Sequence, residues 1–355
     1  MTADLCAFAG FQAGGLLPEP DDPDTPVAVF GFDQRYTEAV VDALSASSFR
    51  VLNVASEADF DELRRTRQEV YANLEHADVD DPARVARVLG NYPYDFHAVL
   101  DVPPVGGRAI AEPFLERYGA LFATLAAKRR GEGRLASLTV LSTQMPAAGR
   151  DQPGALTATQ AAFLRLEDDA VAFGEAHGVR VVVMRVADRV YAPGDSAVRR
   201  VADDGAPAAR ASPCRVEACS DAEPVTRVHS EDLALVLRRM LSMFDLVENR
   251  GGDPAMRGTA ARGASLARFP SGTVLEVVDD GVADSMVQAD AWAAVMMGDD
   301  AAAFCANRTA APTEPRAHRA ARGRNAALKR ALGMPTLRYP TYHAGGAKMF
   351  GAGEF

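Results

Sequence analysis

Apolar and polar residues follow one another in the first part of the chain in a pattern typical of a strand, a helix and a second strand. An apolar run at 27–30 ends at Gly31, and apolar residues within 36–44 then recur at the spacing of one helix face. A second apolar run occupies residues 49–54. Short apolar runs on either side of a helical period predict a strand-helix-strand unit with two parallel strands.

The same alternation continues to about residue 190. Apolar runs predict buried strands at 96–102, 138–142 and 179–186, and a further apolar run lies at 70–74. Helices are expected at 57–67, 82–89, 110–127 and 161–177, the second of them with Asp80 or Asp81 as N-cap and Pro82 in its first turn. This steady alternation predicts the α/β class, with a doubly wound Rossmann-type parallel sheet and a smaller C-terminal lobe.

The rhythm changes at Tyr191. Residues 192–224 are rich in Asp, Ala, Pro and Ser and predict a loop or insertion, after which helices are expected at 230–244, 285–297 and 326–332 and a strand at 274–278. We therefore expect an irregular N-terminal arm at 1–26 and a Rossmann-like dinucleotide-binding-type domain at 27–190. Residues 191–355 would then form a substrate-type lobe with elements that return to the core sheet.

Composition excludes several classes of function. A net charge of −10 argues against a nucleic-acid partner recognised by bulk electrostatics. No apolar run approaches the roughly 18 residues that span a bilayer, and residues 1–26 lack the Lys and Arg of signal or transit peptides. The four cysteines are scattered without the paired spacing of a zinc site. We expect no metal, no transmembrane segment, and a location in the cytoplasm or an organellar matrix.

The turn after the first strand is the first candidate cofactor site. A dinucleotide binds at such a turn because glycines let backbone N–H groups approach the pyrophosphate and the helix N-terminus favours negative charge. Gly31, Phe32, Asp33 and Gln34 form this turn. If Gly31 is the first glycine of the motif, the second glycine position falls on Asp33 or Gln34, depending on the spacing. The glycine pattern is therefore eroded, and the Asp33 carboxylate would repel a pyrophosphate.

Several further segments occur in an order that resembles a known superfamily. They are Asp-Val-Asp-Asp-Pro at 78–82, Leu-Thr-Val-Leu-Ser-Thr at 138–143, the stretch 183–195 around Val-Tyr-Ala-Pro-Gly, Arg-Val-His-Ser-Glu-Asp-Leu-Ala at 227–234, and the C-terminal stretches 325–333 and 339–342. Together with the first strand and turn they resemble the extended short-chain dehydrogenase/reductase superfamily, in particular its NAD-dependent epimerase/dehydratase-like and atypical members. The resemblance spans residues 27–343.

The resemblance implies a tyrosine acid/base, a lysine four residues later, and a serine or threonine that orients the substrate carbonyl. Ser142 or Thr143 matches the last of these, although strand-end hydroxyls commonly satisfy the backbone instead. The tyrosine-lysine pair is missing, because no tyrosine lies between positions 118 and 191 and no lysine between 128 and 329. The remaining acid/base candidates are Tyr191 and Asp188, which lie in a segment expected to form one wall of the ligand cleft. Turn chemistry explains Asp188 equally well.

Three further positions are candidates for cofactor contact. Asn53 lies near the end of the second strand, where an acidic residue usually holds the ribose, and Pro103 directly follows the fourth strand. Arg185 ends a buried strand, so a partner carboxylate or a bound anion must offset its desolvation. The resemblance implies NAD or NADP as cofactor, and the eroded glycine pattern argues against its binding.

Two hypotheses for function follow. The leading one is a divergent member that has lost standard catalysis and acts as a scaffold or accessory subunit with other protein subunits as partners. The alternative is an active NAD(P)-dependent oxidoreductase or sugar-type epimerase with an atypical acid/base.

Overall fold

A parallel sheet forms the centre of the chain in a computed structural model. The structure describes residues 25–31, 40–41, 44–45, 49–55, 74–78, 81–91, 95–101, 118–129, 131–144, 158–187, 189–191, 226–248, 269–280 and 325–340. Its strands are β1 (Thr25–Gly31), β2 (Phe49–Ala55), β3 (Leu74–Asp78), β4 (Phe96–Asp101), β5 (Leu135–Thr143), β6 (Arg180–Val186), β7 (Arg189–Tyr191), β8 (Arg227–His229) and β9 (Thr273–Val277). Its helices are α1 (Pro82–Gly90), α2 (118–126), α3 (Ala158–His177), α4 (Ser230–Glu248) and α5 (Ala326–Leu332).

Seven of these strands form one sheet in the order β3-β2-β1-β4-β5-β6-β9, and every neighbouring pair is parallel. The chain runs outward from β1 to β3 and then continues on the other side of β1 with β4. The strand order therefore reverses between β1 and β4, which is the topological switch point at which open α/β sheets bind ligands. The predicted fold class, a doubly wound parallel sheet, is confirmed.

Each face of the sheet buries its own set of apolar side chains. On one face, Val27, Val29 and Val99 pack in a cluster with α4, whose Val236, Leu237, Met240 and Phe244 are buried. On the other face, Phe30 lies edge-on to Tyr118 and Phe122 of α2, and the same cluster includes residues of α1 and α3. The period of two along each strand explains why consecutive residues serve opposite faces.

Local chemistry fixes several helix ends. The Asp81 side chain accepts a hydrogen bond from the Arg84 backbone N–H at 2.9 Å, and Pro82 begins α1, as the N-cap prediction required. Helix α5 ends at Gly333, whose φ of 62° lies in the left-handed region that glycine adopts without strain. Both helices lie where the sequence pattern placed them.

Three strands differ from expectation. The third strand is Leu74–Asp78 rather than the apolar run at 70–74, and it contains Glu75 and His76. It forms one edge of the described sheet, where polar residues are well tolerated. Strands β7 and β8 pair in a separate two-stranded parallel sheet and were not predicted, because three residues are too few to show a period.

The helices that the structure describes include none with the length and apolar character needed for a membrane span.

Candidate functional site

The carboxyl ends of β1, β4, β5 and β6 meet at one edge of the sheet and form the candidate site. At the switch point Gly31, the last residue of β1, lies opposite Asp101, the last residue of β4. Asp101 is fully buried. On the next two strands of the sheet, β5 and β6, Ser142 lies opposite Arg185. Sheet register alone therefore brings together residues that are up to 154 positions apart in the printed sequence, between Gly31 and Arg185.

Ser142 is held within a buried polar network. Its hydroxyl donates a 2.7 Å hydrogen bond to Glu167 Oε1 on α3. Arg185 donates to the same carboxylate twice, from Nε to Oε1 at 3.0 Å and from Nη2 to Oε2 at 2.6 Å. All three residues are buried. A bidentate pair with two hydrogen bonds is the strong form of an arginine-carboxylate interaction. The positive charge of Arg185 is therefore neutralised inside the protein.

Helix α3 supplies Glu167 because of its apolar periodicity. Phe163, Leu166 and Ala170 point into the sheet cluster, and Glu167 lies one helical turn after Phe163 on the same buried face. The open choice for Arg185, a partner carboxylate or a bound anion, is thus answered by a carboxylate. Sequence reasoning did not name Glu167, although an acidic residue on an apolar helix face was a usable signal.

Gln144 directly follows β5 and was also missed. Its side chain is buried, and its amide nitrogen donates to the backbone carbonyl oxygen of Arg185 on the neighbouring strand. Its own carbonyl oxygen, Oε1, has no hydrogen-bond partner among the residues that the structure describes. A buried acceptor without a donor at the carboxyl edge of a parallel sheet is unusual in a folded protein. No sequence signal marks it beyond its position after a buried strand.

The remaining candidate residues are placed to different extents. Thr143 ends β5 and Tyr191 ends β7, and the structure describes their backbones alone. Tyr191 lies opposite His229 in the β7-β8 register. Asp188, Phe32, Asp33, Gln34 and Pro103 lie outside the described residues.

Asn53 is described and fully buried. Within the described part of the chain, neither atom of its amide group has a hydrogen-bond partner. In register it lies beside Val29 in the interior of the sheet, two residues before the end of β2. Its unpartnered amide suits a ribose hydroxyl chemically, but its place is inside an apolar face rather than at the strand end.

Gly31 and Asp101 are the described residues at the switch point, because the turn that follows β1 lies outside the described residues. The pyrophosphate requires close backbone N–H groups or positive charge, and the buried carboxylate of Asp101 lies beside Gly31 instead. Among the described residues, the buried guanidinium of Arg185 lies at this edge of the sheet and already pairs with Glu167. The described residues therefore show no group at this point that would hold a pyrophosphate. No cluster of potential metal ligands occurs among them either.

His229 begins the second polar cluster. Its Nδ1 accepts the backbone N–H of Glu231 in the first turn of α4, and its ring lies 4.2 Å from that of Tyr339, centroid to centroid. Asp232, fully buried, accepts the backbone N–H groups of Arg338 at 2.7 Å and Tyr339 at 2.9 Å. Desolvation by burial raises the pKa of the Asp232 carboxyl, against the opposing effect of these two hydrogen bonds. The cluster ties the segment 334–340 to α4.

Comparison with known proteins rests on structure alone, because no family model and no curated protein matches the chain. A dTDP-glucose 4,6-dehydratase from Bacillus anthracis, solved with NAD, is 12% identical with a TM-score of 0.57, over 92% of this chain and 96% of that one. A UDP-glucose 4-epimerase from Thermotoga maritima, solved with UDP-glucose, is 13% identical with a TM-score of 0.58, over 92% and 97%.

A third solved structure agrees with these two. The UDP-N-acetylglucosamine 4-epimerase from Bacillus cereus is 10% identical with a TM-score of 0.54, over 92% of this chain and 96% of that one. TM-scores of 0.54 to 0.58 at such low identities establish the fold alone. The chemistry has to be argued from the residues of this chain. The chain therefore has the fold of the extended short-chain dehydrogenase/reductase enzymes.

Proposed function

We propose that this chain is a divergent protein of NAD(P)-binding fold that lacks the standard catalysis of the enzymes it resembles and acts as a scaffold or accessory subunit of a larger assembly. One observation carries the first part. The Ser142 hydroxyl, which by resemblance would orient a substrate carbonyl, instead donates to Glu167 in a buried network with Arg185. A hydroxyl committed in this way has no proton left to donate to a substrate oxygen.

Helix α3 supports the same conclusion. It contains neither tyrosine nor lysine, and the buried Phe163 side chain has no ionisable proton. Arg165 is mostly exposed and lies 3.5 Å from the Asp169 carboxylate. A guanidinium remains protonated at neutral pH and cannot act as a general acid/base there. The described residues therefore supply no replacement for the tyrosine-lysine pair on this helix.

The decisive experiment measures cofactor binding and turnover on the same protein. Purified full-length protein is titrated calorimetrically with NADH and NADPH, and is incubated with NAD⁺ and either dTDP-glucose or UDP-glucose while products are followed by NMR. We expect no turnover of either sugar nucleotide. Thermal unfolding confirms that the protein used is folded.

A Ser142→Ala variant is the matched control for this experiment. If Ser142 is structural, the variant lowers the unfolding temperature and leaves the absence of turnover unchanged. Conversion of dTDP-glucose or UDP-glucose by the wild type, abolished in Ser142→Ala, would contradict the proposal.

An active NAD(P)-dependent oxidoreductase or sugar-type epimerase with an atypical acid/base is the second candidate. It is favoured by the register of β7 and β8, which sets Tyr191 opposite His229, two residue types that exchange protons in enzymes. It is also favoured by the NAD bound in the Bacillus anthracis dehydratase of the same fold. On this reading Tyr191→Phe abolishes any turnover found and leaves sugar-nucleotide affinity unchanged.

The accessory role predicts protein partners rather than nucleic acid, in keeping with the net charge of −10. We place the protein in the cytoplasm or an organellar matrix, where its scattered cysteines stay reduced.

Chemical cross-linking in native extract, followed by mass spectrometry, would identify the partner, and a purely monomeric protein in that extract would contradict the accessory role.

A further inference from the structure

His97 and His229 are buried histidines whose hydrogen bonds respond differently to a proton. The Nδ1 atom of His97 lies 2.7 Å from the Ser137 hydroxyl, which can either donate or accept. The Nδ1 atom of His229 accepts the backbone N–H of Glu231 at 3.1 Å, and a backbone nitrogen can only donate. Protonation of Nδ1 is therefore compatible with the bond at His97, whereas it breaks the bond at His229.

The place of His229 in the fold adds to the cost of a positive charge. The N–H group that it accepts belongs to the first turn of α4, and the dipole of a helix disfavours cations at its N-terminus. The residue is fully buried, so an imidazolium there would lose its hydration. Because Nδ1 accepts, the neutral ring carries its proton on Nε2, and a second proton can bind only at Nδ1. Protonation is disfavoured while this contact persists.

Titratable and charged groups lie on each described element next to His229. They are Glu231 and Asp232 on α4, Arg338 and Tyr339 on the C-terminal segment 334–340, the buried Arg227 on β8, and Tyr191, opposite in the β7 register. Glu231 pairs with Arg338 at 3.0 Å, and Asp232 accepts two backbone N–H groups. Both carboxylates are thus engaged with the segment, and a cation at His229 would attract them away from it.

The contacts of segment 334–340 are separate from those of α5, which precedes it. The Tyr339 ring covers the His229 ring at 4.2 Å between centroids. Helix α5 has its own attachment, because Asn325 donates to the Val278 carbonyl oxygen and Lys329 pairs with Asp280. The segment can therefore loosen while α5 stays in place.

We propose that His229 is a pH-sensitive latch, which holds residues 334–340 against the start of α4 while it is neutral and loosens them when it is protonated. The loosened state binds the proton more readily than the closed state, so loosening increases as the pH falls. Asp232 acts in the opposite direction, because burial raises its pKa and its contribution to the closed state is greatest at acid pH. This inference goes beyond the proposed function, since a loosened segment requires neither turnover nor a partner protein.

The latch is tested by hydrogen exchange and mass spectrometry on the full-length protein. Exchange is measured at about pH 7.5 and about pH 5.5, on either side of the ordinary histidine pKa of about 6.5, and is corrected for the intrinsic rate at each pH. We expect the opening of 334–340 to increase by up to about tenfold at the lower pH, relative to α5 in the same molecules.

His229→Asn is the matched variant. Its Oδ1 atom can accept the Glu231 N–H and does not titrate, so the acid-induced increase should be lost. Asp232→Asn keeps His229 and removes the opposing titration, so the increase should be at least as large as in wild type. This second variant tests the latch even where His229→Asn does not fold.

Other outcomes overturn the inference. A wild-type segment that gains protection at acid pH, or that changes no more than α5, has no latch of this kind. The same increase in His229→Asn as in wild type, or none in Asp232→Asn, removes His229 as the cause. Loosening that spreads through β4 and β5 makes the effect one of the core around His97, which also overturns the latch.

Discussion

Two buried carboxylates in this protein are satisfied in opposite ways. Glu167, between α3 and the sheet, is neutralised by the Arg185 guanidinium and also accepts the Ser142 hydroxyl. Asp232, between α4 and the C-terminal segment, accepts two backbone N–H groups, from Arg338 and Tyr339. The first arrangement pairs full charges, whereas the second sets a full charge against backbone dipoles.

The difference teaches what each carboxylate is for. A buried ion pair contributes little net stability, because desolvation of both ions offsets their attraction, but removal of one partner strands the other. A carboxylate that accepts backbone N–H groups fixes the backbone segment that carries them. Burial removes this carboxylate from water, and the desolvation raises the pKa of Asp232. Glu167 therefore maintains the packing of a central helix, and Asp232 fastens a terminal segment.

The largest effect is expected from Glu167→Leu. This change leaves the Arg185 charge buried without its carboxylate, and we expect the free energy of unfolding to fall by about 3–5 kcal/mol. The double variant Glu167→Leu, Arg185→Met removes both charges and should recover most of that loss. Urea unfolding of the three proteins measures it. A double variant as unstable as Glu167→Leu would show that the network has a role beyond cancelling charge.

The second effect concerns the close approach of α3 to β6, which brings Glu167 to Arg185. A Cβ at Gly174 would lie 2.4 Å from Val181 Cγ2 and 2.7 Å from the Val179 backbone oxygen. We expect Gly174→Ala to lower the free energy of unfolding by about 1–3 kcal/mol, because the backbone oxygen cannot move aside cheaply.

The matched control for Gly174 is Gly119→Ala in α2, where the added Cβ meets no atom within 4 Å. Alanine favours a helix over glycine, so this variant should gain about 0.5–1 kcal/mol. Equal effects of the two substitutions in urea unfolding would contradict a close contact between α3 and β6.

The sequence predicted the sheet and most of its helices because each depends on local patterns. The apolar runs at 96–102 and 179–186, the Asp81 cap and the Gly333 stop are all readable within a few residues. The candidate site depended on contacts between distant positions. Arg185 was recognised as needing a partner, but Glu167 is 18 positions away in sequence on a separate helix. Periodicity shows which face a residue takes, not which residue it meets.

Gln144 and Asp232 show a second limit of sequence reasoning. The Oε1 atom of Gln144 has no hydrogen-bond partner among the described residues. No pattern of residue types in a sequence predicts which polar atom will lack a partner. Asp232 belonged to a recognised segment, yet its partners are backbone groups 106 and 107 residues further along the chain. Backbone N–H groups carry no side-chain identity, so the sequence cannot mark them as partners.

The third effect is expected from Asp232→Ala. Loss of the carboxylate leaves the N–H groups of Arg338 and Tyr339 without their acceptor, at a cost of about 1–3 kcal/mol. In contrast to Glu167→Leu, the change should be local. Hydrogen exchange followed by mass spectrometry should accelerate in residues 334–340 while the strands of the main sheet keep their protection. Uniform acceleration across the sheet would show that Asp232 supports the whole core.

The smallest effect is a pH dependence that separates Asp232 from ordinary surface acids. Because burial raises its pKa in the folded protein, the folded state holds the proton more tightly than the unfolded state. Its contribution to stability is therefore fully present below the unfolded pKa of about 3.9 and is lost as pH rises through the folded value. Asp232→Asn is neutral throughout, so it isolates this term. We expect the difference in unfolding free energy, wild type minus Asp232→Asn, to decrease as urea titrations move from acid toward neutral pH. Glu231 and Arg338, which face the same segment and pair at 3.0 Å, are present in both proteins. A difference that increases with pH would mean that the hydrogen bonds from the two backbone N–H groups outweigh burial, so that the folded protein favours the charged form of Asp232.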